Sequence, residues 1–259
     1  MAQSLSREMF DLDGKVALVT GAGQGVGAEI AAVLVRANAA VVVNDLFDDR
    51  AEAVAGRLRT RRCRAMAVAA DVRERAQVDA MVHTVVETFG SLELLVNNAG
   101  VPAAGLSTTS FVNSSRDEWD ACLSVNVLGA LNCSQAALPA MLEGGRGRIV
   151  SVTSDAGRVG EPGLVVYSAA KAAVMGFSRA LAKEVGAAGI TCNCVSVGRI
   201  EGTVSSDAAP LPDAVRRRYP AGRIGRPADV AAAVLWLVSD EAAWVTGQTV
   251  GVDGGYVTT

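Results

Sequence analysis

The chain has 259 residues, half of them apolar, with a formal net charge of −3 and a sequence pI near 5.3. That balance offers no basic field for nucleic acid, and no apolar run approaches the ~20 residues needed to cross a bilayer. The five cysteines are scattered without a Cys-x-x-Cys pair and His83 is the single histidine, so no metal site or disulfide framework is expected. The first ten residues lack an apolar signal core, which makes the cytosol the expected compartment.

In chain order, Lys15 to Thr20 reads as a short buried strand, followed at once by Gly21-Ala-Gly-Gln24-Gly25-Val26-Gly27 and a helix-like stretch from Ala28 to Arg36. A strand, a glycine turn and a helix N-terminus let the backbone approach a pyrophosphate, which the free amides and the helix dipole then hold. An ordinary glycine-rich turn is the alternative. The next apolar run, Ala40 to Asp45, ends in a carboxylate about twenty residues beyond the glycines, where such folds read the adenosine ribose. Asp45 accepts from a ribose diol and repels a 2′-phosphate, and neither Leu46 nor Gln24 supplies a cation for one, so NAD is expected over NADP.

Further strands are expected over Ala65–Ala70, before Asp71 and Val72, and over Leu92–Val96, before Asn97, Asn98, Ala99 and Gly100. Around Asn126 the positions Trp119, Cys122, Leu123, Val127 and Ala130 follow helical spacing, and 126 is the amide in that stripe. A buried amide needs partners. One such arrangement would have Asn126 pin a neighbouring strand.

The most informative stretch runs from Ser154 through Tyr167 to Lys171. Four residues apart on a helix, the phenol and the ammonium share one face, and Ala170, Val174, Met175 and Ser178 complete an inward stripe. At ~4 Å and an effective dielectric near 20, the attraction is about 4 kcal/mol, enough to lower the tyrosine's pKa by a few units before desolvation opposes it. That makes a proton-transfer site. Strands over Ile190–Ser196 and Val245–Asp253 follow, and alternation puts Cys192 and Cys194 on one face. Strand-like and helix-like stretches alternate throughout without a linker, which predicts one α/β domain over 1–259, a doubly wound Rossmann fold with a parallel sheet flanked by helices.

Taken together, Thr20-Gly21-x-x-x-Gly25-x-Gly27, Asp71-Val72, Asn97-Asn98-Ala99-Gly100, Asn126, Ser154 with Tyr167 and Lys171, and Val252-Asp253-Gly254-Gly255 resemble the short-chain dehydrogenase/reductase family over nearly the whole chain, in particular its 3-oxoacyl reductase-like and hydroxyacyl-CoA dehydrogenase-like members. The resemblance implies a seven-stranded sheet and an enzyme that interconverts a secondary alcohol and a ketone. It makes Tyr167 the general acid/base, Ser154 the hydrogen-bond donor to the reacting oxygen, and Lys171 the ligand of the nicotinamide ribose. Asn126 would hold a relay water. Asp71 and Val72 would touch the adenine, and Asn98, Ala99 and Gly100 would run along the cofactor, with Asn97 and Gly100 shaping the turn.

One departure from the family pattern stands out. The Pro-Gly pair expected after the sixth strand is Val197-Gly198, and glycine 202 takes the commonest threonine position, so Ile200 and Thr203 are the expected carboxamide contacts. The family also implies a homotetramer and a substrate lid at about 203–223. Within the lid, Arg216, Arg217 and Arg218 either meet an anionic substrate or face solvent. Residues 155–160 are similar to those of members that act on alicyclic hydroxyacyl-CoA thioesters; a steroid alcohol is the other substrate expectation. The competing function is a catalytically silent dinucleotide sensor or scaffold, which would not need Ser154, Tyr167 and Lys171 together.

Overall fold

The computed structural model describes residues 9–59, 64–101, 110–202 and 217–258. Seven strands form one parallel sheet: β1 (Val16–Val19), β2 (Ala40–Asp45), β3 (Ala65–Ala69), β4 (Leu94–Asn97), β5 (Gly147–Ser154), β6 (Ile190–Val197) and β7 (Thr249–Val252). Their spatial order is β3-β2-β1-β4-β5-β6-β7, so the winding reverses between β1 and β4. A crevice opens at that reversal beyond the strand ends, the usual ligand position in open α/β sheets. The doubly wound fold is therefore as expected.

The helices are α1 (Gly25–Arg36), α2 (Asp48–Leu58), α3 (Arg75–Phe89), α4 (Arg116–Leu123), α5 (Gly129–Glu143), α6 (Ala156–Val159), α7 (Val165–Val185) and α8 (Pro227–Val238). Period-two alternation divides each central strand between two cores. Ala17 and Val19 of β1 pack with Ile30 and Leu34 of α1 and Val234 and Leu237 of α8. Val16 and Leu18 face the other way, onto Met81 of α3, Met141 of α5 and Val185 of α7. With both faces covered, β1 and most of β2 carry no polar alternation, which is why they read as continuous apolar runs.

Two boundaries differ from the sequence reading by three residues or more, the other strands by two at most. Helix α1 starts at Gly25 rather than Ala28, because Gln24 is extended at φ −162° and Gly25, at φ +57°, lets the chain turn directly into the helix. Strand β7 shrinks to 249–252, since Val245, Thr246 and Gly247 turn back to bond β6. Helices α4 and α5 are joined without a break through a π-helical turn at Ser124–Leu128. This continuous Arg116–Glu143 stretch is long and apolar enough to cross a bilayer. Here it packs as a layer of the fold, Cys133, Ala137 and Met141 lying against the sheet.

Cys122, Cys133, Cys192 and Cys194 are buried free thiols, and burial pushes Cys133 and Cys192 up to about 12. Among the described residues no group of His, Cys, Asp or Glu side chains can hold a metal.

Close backbone packing at the glycine turn generates a test. A Cβ on Gly27 would lie 2.4 Å from Asn98 Nδ2 and 2.5 Å from Gly21 O, whereas one on Gly186 would meet nothing within 4 Å. Urea denaturation should therefore show Gly27→Ala destabilised by about 1–3 kcal/mol, and Gly186→Ala unchanged within ~0.5 kcal/mol.

Candidate active site

The turn after β1 and the turn after β4 are built against each other at the crevice. Thr20 Oγ1 accepts from the amides of Asn98 and Ala99 at 3.1 Å each, and Asn98 Nδ2 donates to the carbonyls of Thr20 and Gly21 at 2.9 Å each. Gly21, at φ +60°, carries no side chain where a Cβ would be 2.8 Å from Ala99 Cα. The loop is thereby held open, with Gln24 and Gly25 exposed ahead of α1 and Val26 half-buried against the core. Asn97 lies deeper; its amide donates to Ser134 and Ser151 at 3.1 and 3.4 Å, so it joins β4, β5 and α5 rather than facing the crevice.

Asp45 ends β2 at the mouth of this loop. Its carboxylate accepts from the Gly23 amide at 3.0 Å and the Phe47 amide at 3.2 Å, while Leu46 points outward. A carboxylate has about four acceptor sites, so two bonds leave capacity for a diol. Arg50, from the first turn of α2, stands beside it. A Cβ on Gly23 would touch Arg50 Cβ at 2.7 Å and Asp45 Oδ2 at 2.6 Å, and the guanidinium stacks over Phe47 at 4.5 Å. Positions 24 and 46 supply no cation, but the fold brings this one near. Asp71 is paired with Arg73 at 2.6 Å, which holds its carboxyl below the usual range, and Val72 packs where Gly129 has no Cβ.

Across the crevice, β5 ends at Ser154 and α7 carries Tyr167 and Lys171 inward, both buried. Between them α6 lies so tightly on α7 that a Cβ on Gly157 would be 2.8 Å from the Lys171 carbonyl carbon. Ser154 Oγ accepts from the Ala156 amide at 3.3 Å and stands beside the Tyr167 phenol, whose ionised form it favours. The expected lowering of Tyr167 does not occur. Burial raises its pKa, outweighing the Ser154 hydroxyl that favours the phenolate. Lys171 cannot offset that, because its Nζ stands 5.7 Å from the ring centroid and burial lowers its own pKa to about 8. The ammonium has a bond to Val152 O at 3.2 Å.

Asn126 faces the same space. The π-helical turn directs it so that its amide donates to Cys122 O in its own helix at 2.9 Å, not to a strand, while its buried Oδ1 has no donor. A Cβ on Gly100 would lie 2.6 Å from that oxygen and 3.4 Å from Lys171 Nζ. Gly100 thus leaves a gap between an orphaned acceptor and a buried cation.

Beyond β6, Val197 pairs with both Ser154 and Val252, and the chain turns at Gly198. Ile200 turns its side chain into the core against Gly225. Thr203 and lid residues 203–216, Arg216 included, lie outside the described residues. Arg217 is exposed, and Arg218 packs over the Tyr256 ring at 4.9 Å, hydrogen-bonds its hydroxyl and approaches Glu161 at 3.9 Å.

A buried acidic pair escaped the sequence reading. Asp155 accepts from Ser196 Oγ at 2.6 Å through one oxygen while its other buried oxygen has no donor, and Arg158 lies 3.6 Å from Asp253 and 3.9 Å from Asp155. Burial first, then the second carboxylate, raises Asp155. Neither this pair nor Tyr219 at the Gly198 turn carries a local spacing signal, because each partner is distant in sequence; Arg50 is near Asp45 in sequence, but its place against the Gly23 turn is set by the fold.

The open glycine turn, the spare acceptors of Asp45 and the space at Gly100 fit a dinucleotide. A family model described as enoyl-(acyl carrier protein) reductase matches residues 21–257. The (2S)-[(R)-hydroxy(phenyl)methyl]succinyl-CoA dehydrogenase subunit BbsD of Thauera aromatica is 39% identical over 246 residues, 94% of this chain and 97% of that one. The 3-oxoacyl-[acyl-carrier-protein] reductase FabG of Thermotoga maritima is 35% identical over 250 residues, 95% and 99% of the two chains. The 2-(S)-hydroxypropyl-CoM dehydrogenase 3 of Xanthobacter autotrophicus is 39% identical over 251 residues, 94% and 97%. With likeness running almost end to end, the chain belongs to the short-chain dehydrogenase/reductase family, oxidoreductases that act between hydroxyl and ketone with a nicotinamide dinucleotide.

Proposed function

We propose that this protein is an NAD-dependent dehydrogenase that interconverts a secondary hydroxyacyl thioester and its ketone. The observation that carries the reading is the placement of Ser154 beside the Tyr167 phenol, with Lys171 buried one turn further along α7. A silent sensor would have no use for that assembly. NAD, when bound, supplies two-electron hydride chemistry at the carbinol carbon. The chain supplies the proton and the hydrogen bonds. As an alcohol is oxidised, the Tyr167 phenolate takes the hydroxyl proton while Ser154 donates to the same oxygen; in reduction the phenol returns the proton to the forming alkoxide. Lys171 favours the phenolate while protonated, and the orphaned Oδ1 of Asn126 beside it suits a water that passes the proton outward.

Gly21, Gln24, Gly25, Val26 and Gly27 are assigned to the pyrophosphate, and Asp45 with Leu46 to the adenosine ribose. Asp71 and Val72 are assigned to the adenine, Asn98, Ala99 and Gly100 to the length of the cofactor, and Lys171 to the nicotinamide ribose. Ile200 and Thr203 are assigned to the carboxamide. Asp45 favours NAD: at ~5 Å and an effective dielectric near 20, its repulsion of a 2′-phosphate is about 3 kcal/mol per unit charge. The thioester preference rests on residues 155–160 and on relatives whose names carry succinyl-CoA and 3-oxoacyl-acyl carrier protein. A homotetramer belongs to the same proposal, supported by Trp244, 99% exposed just ahead of the sheet-edge strand β7. So does cytoplasmic residence.

The first test is NADH formation at 340 nm across hydroxyacyl-CoA compounds, steroids and free alcohols; turnover confined to free alcohols or steroids would defeat the thioester reading. Tyr167→Phe should lower kcat by ~10³-fold with NADH affinity retained, and near-normal kcat would remove Tyr167 from the chemistry. Asp45→Asn should raise the NADP/NAD ratio of kcat/KM about tenfold or more, Arg50 then standing by the new phosphate; an unchanged ratio would mean Asp45 does not set the preference.

Lys171 supplies a test by stability. Its folded pKa, about 8, is below the 10.5 of the unfolded chain, so between those values the unfolded state binds more protons and stability rises with pH. Relative to Lys171→Met, the wild type without dinucleotide should gain about 3 kcal/mol across that window. Parallel urea curves at pH 7, 8, 9 and 10 measure the difference, and a constant difference would show that the ammonium is not desolvated.

A further inference from the structure

The turn after β6 lacks the proline expected of it, and another residue stands where a constraint is needed. A proline at 197 would fix φ near −65° at the start of the turn. Val197 instead continues β6, its carbonyl accepting from the Asp155 amide at 3.1 Å. The turn then runs Gly198, Arg199, Ile200, and two contacts hold it. The Gly225 backbone donates to Arg199 O at 2.9 Å and accepts from the Glu201 amide at 2.8 Å. From the other side comes Tyr219, 9% exposed, whose hydroxyl accepts from the Arg199 amide at 3.1 Å. Its ring lies where a Cβ on Gly198 would be 3.0 Å from Cε1.

Tyr219 is itself fixed. Its ring packs on Tyr256 at 5.4 Å between centroids, its carbonyl accepts from the Gly222 amide at 2.8 Å, and the next residues are tied to the C-terminal turn through Ala221 N to Gly254 O at 2.9 Å. The phenol is therefore a rigid strut from the C-terminal segment to the turn, not a side chain that settled there by chance. The turn begins beside Ser154, since Val197 is its register partner across β5 and β6. Whatever fixes Arg199 fixes the nicotinamide end of the crevice and leaves the adenosine end, at Asp45, untouched.

We propose that Tyr219 is the positioning residue of the 198–202 turn, its hydroxyl on the Arg199 amide and its ring under Gly198 supplying the constraint that the missing proline does not. The proposal rests on the dinucleotide reading above, and it predicts a discrimination that general destabilisation would not produce. Tyr219→Phe keeps the ring and removes the acceptor. Titration calorimetry with NADH and, separately, ADP-ribose on wild type and variant should show NADH affinity falling about five- to tenfold, the worth of one hydrogen bond, and ADP-ribose affinity unchanged. Gly198→Ala, which pushes a methyl into the same ring, should show the same split, with thermal melts confirming that each variant is folded. Equal losses for both ligands, or no loss for either, would overturn the role of Tyr219 while leaving the dinucleotide reading intact. A wild type that binds neither ligand would overturn that reading and the proposal with it.

Discussion

Holding one ammonium out of water is the constraint on which the rest of the site depends. Lys171 is 7% exposed on the inner face of α7 and has a carbonyl, Val152 O, for its hydrogen bond. An uncompensated buried cation is unstable, and the chain answers by depressing its pKa and by leaving space around it. Glycines at 100 and 157 keep backbone and helix close without crowding it, and the π-helical turn turns Asn126 toward it. Filled with ordinary side chains, the same volume would be a better core and a worse site.

The two halves of the crevice are stabilised differently. On the adenosine side, Thr20, Asn98 and Asp45 bind backbone groups of neighbouring turns, so the loop is stiff before any ligand arrives. On the nicotinamide side, the support is long-range: Tyr219, Asp253 and Gly225 converge on a turn whose own sequence does not define its shape. Preorganisation of the first kind is local and recurs as a motif. The second kind is assembled from segments up to fifty-odd residues apart, and belongs to this chain.

That contrast explains what was readable in advance. The inward set on α7, Tyr167, Ala170, Lys171, Val174, Met175 and Ser178, is buried as periodicity requires, because a long amphipathic helix has one way to face the sheet. The glycine turn was legible because its strand, turn and helix adjoin in the sequence. Asn126 was found by spacing, but its unsatisfied oxygen depends on a π-helical turn that no residue there announces. Helical spacing gives the proximity of Tyr167 and Lys171 but not how strongly desolvation opposes their attraction, and here burial raises Tyr167 and lowers Lys171. Asp155 with Asp253, Arg50 against the Gly23 turn, and Tyr219 on Arg199 arise from tertiary contact and left no local trace.

The buried thiols have a consequence for how this protein's opening can be observed. With Cys133 and Cys192 pushed up to about 12, roughly one thiolate in 10⁵ exists at neutral pH, and both sulfurs lie beneath helices in the sheet core. Alkylation of these two side chains must wait until α5 or α7 lifts from the sheet. Each cysteine is thus a natural clock for one layer of the fold: its modification rate counts how often that layer separates, without an introduced label and without disturbing the crevice on the far side of the strands' ends.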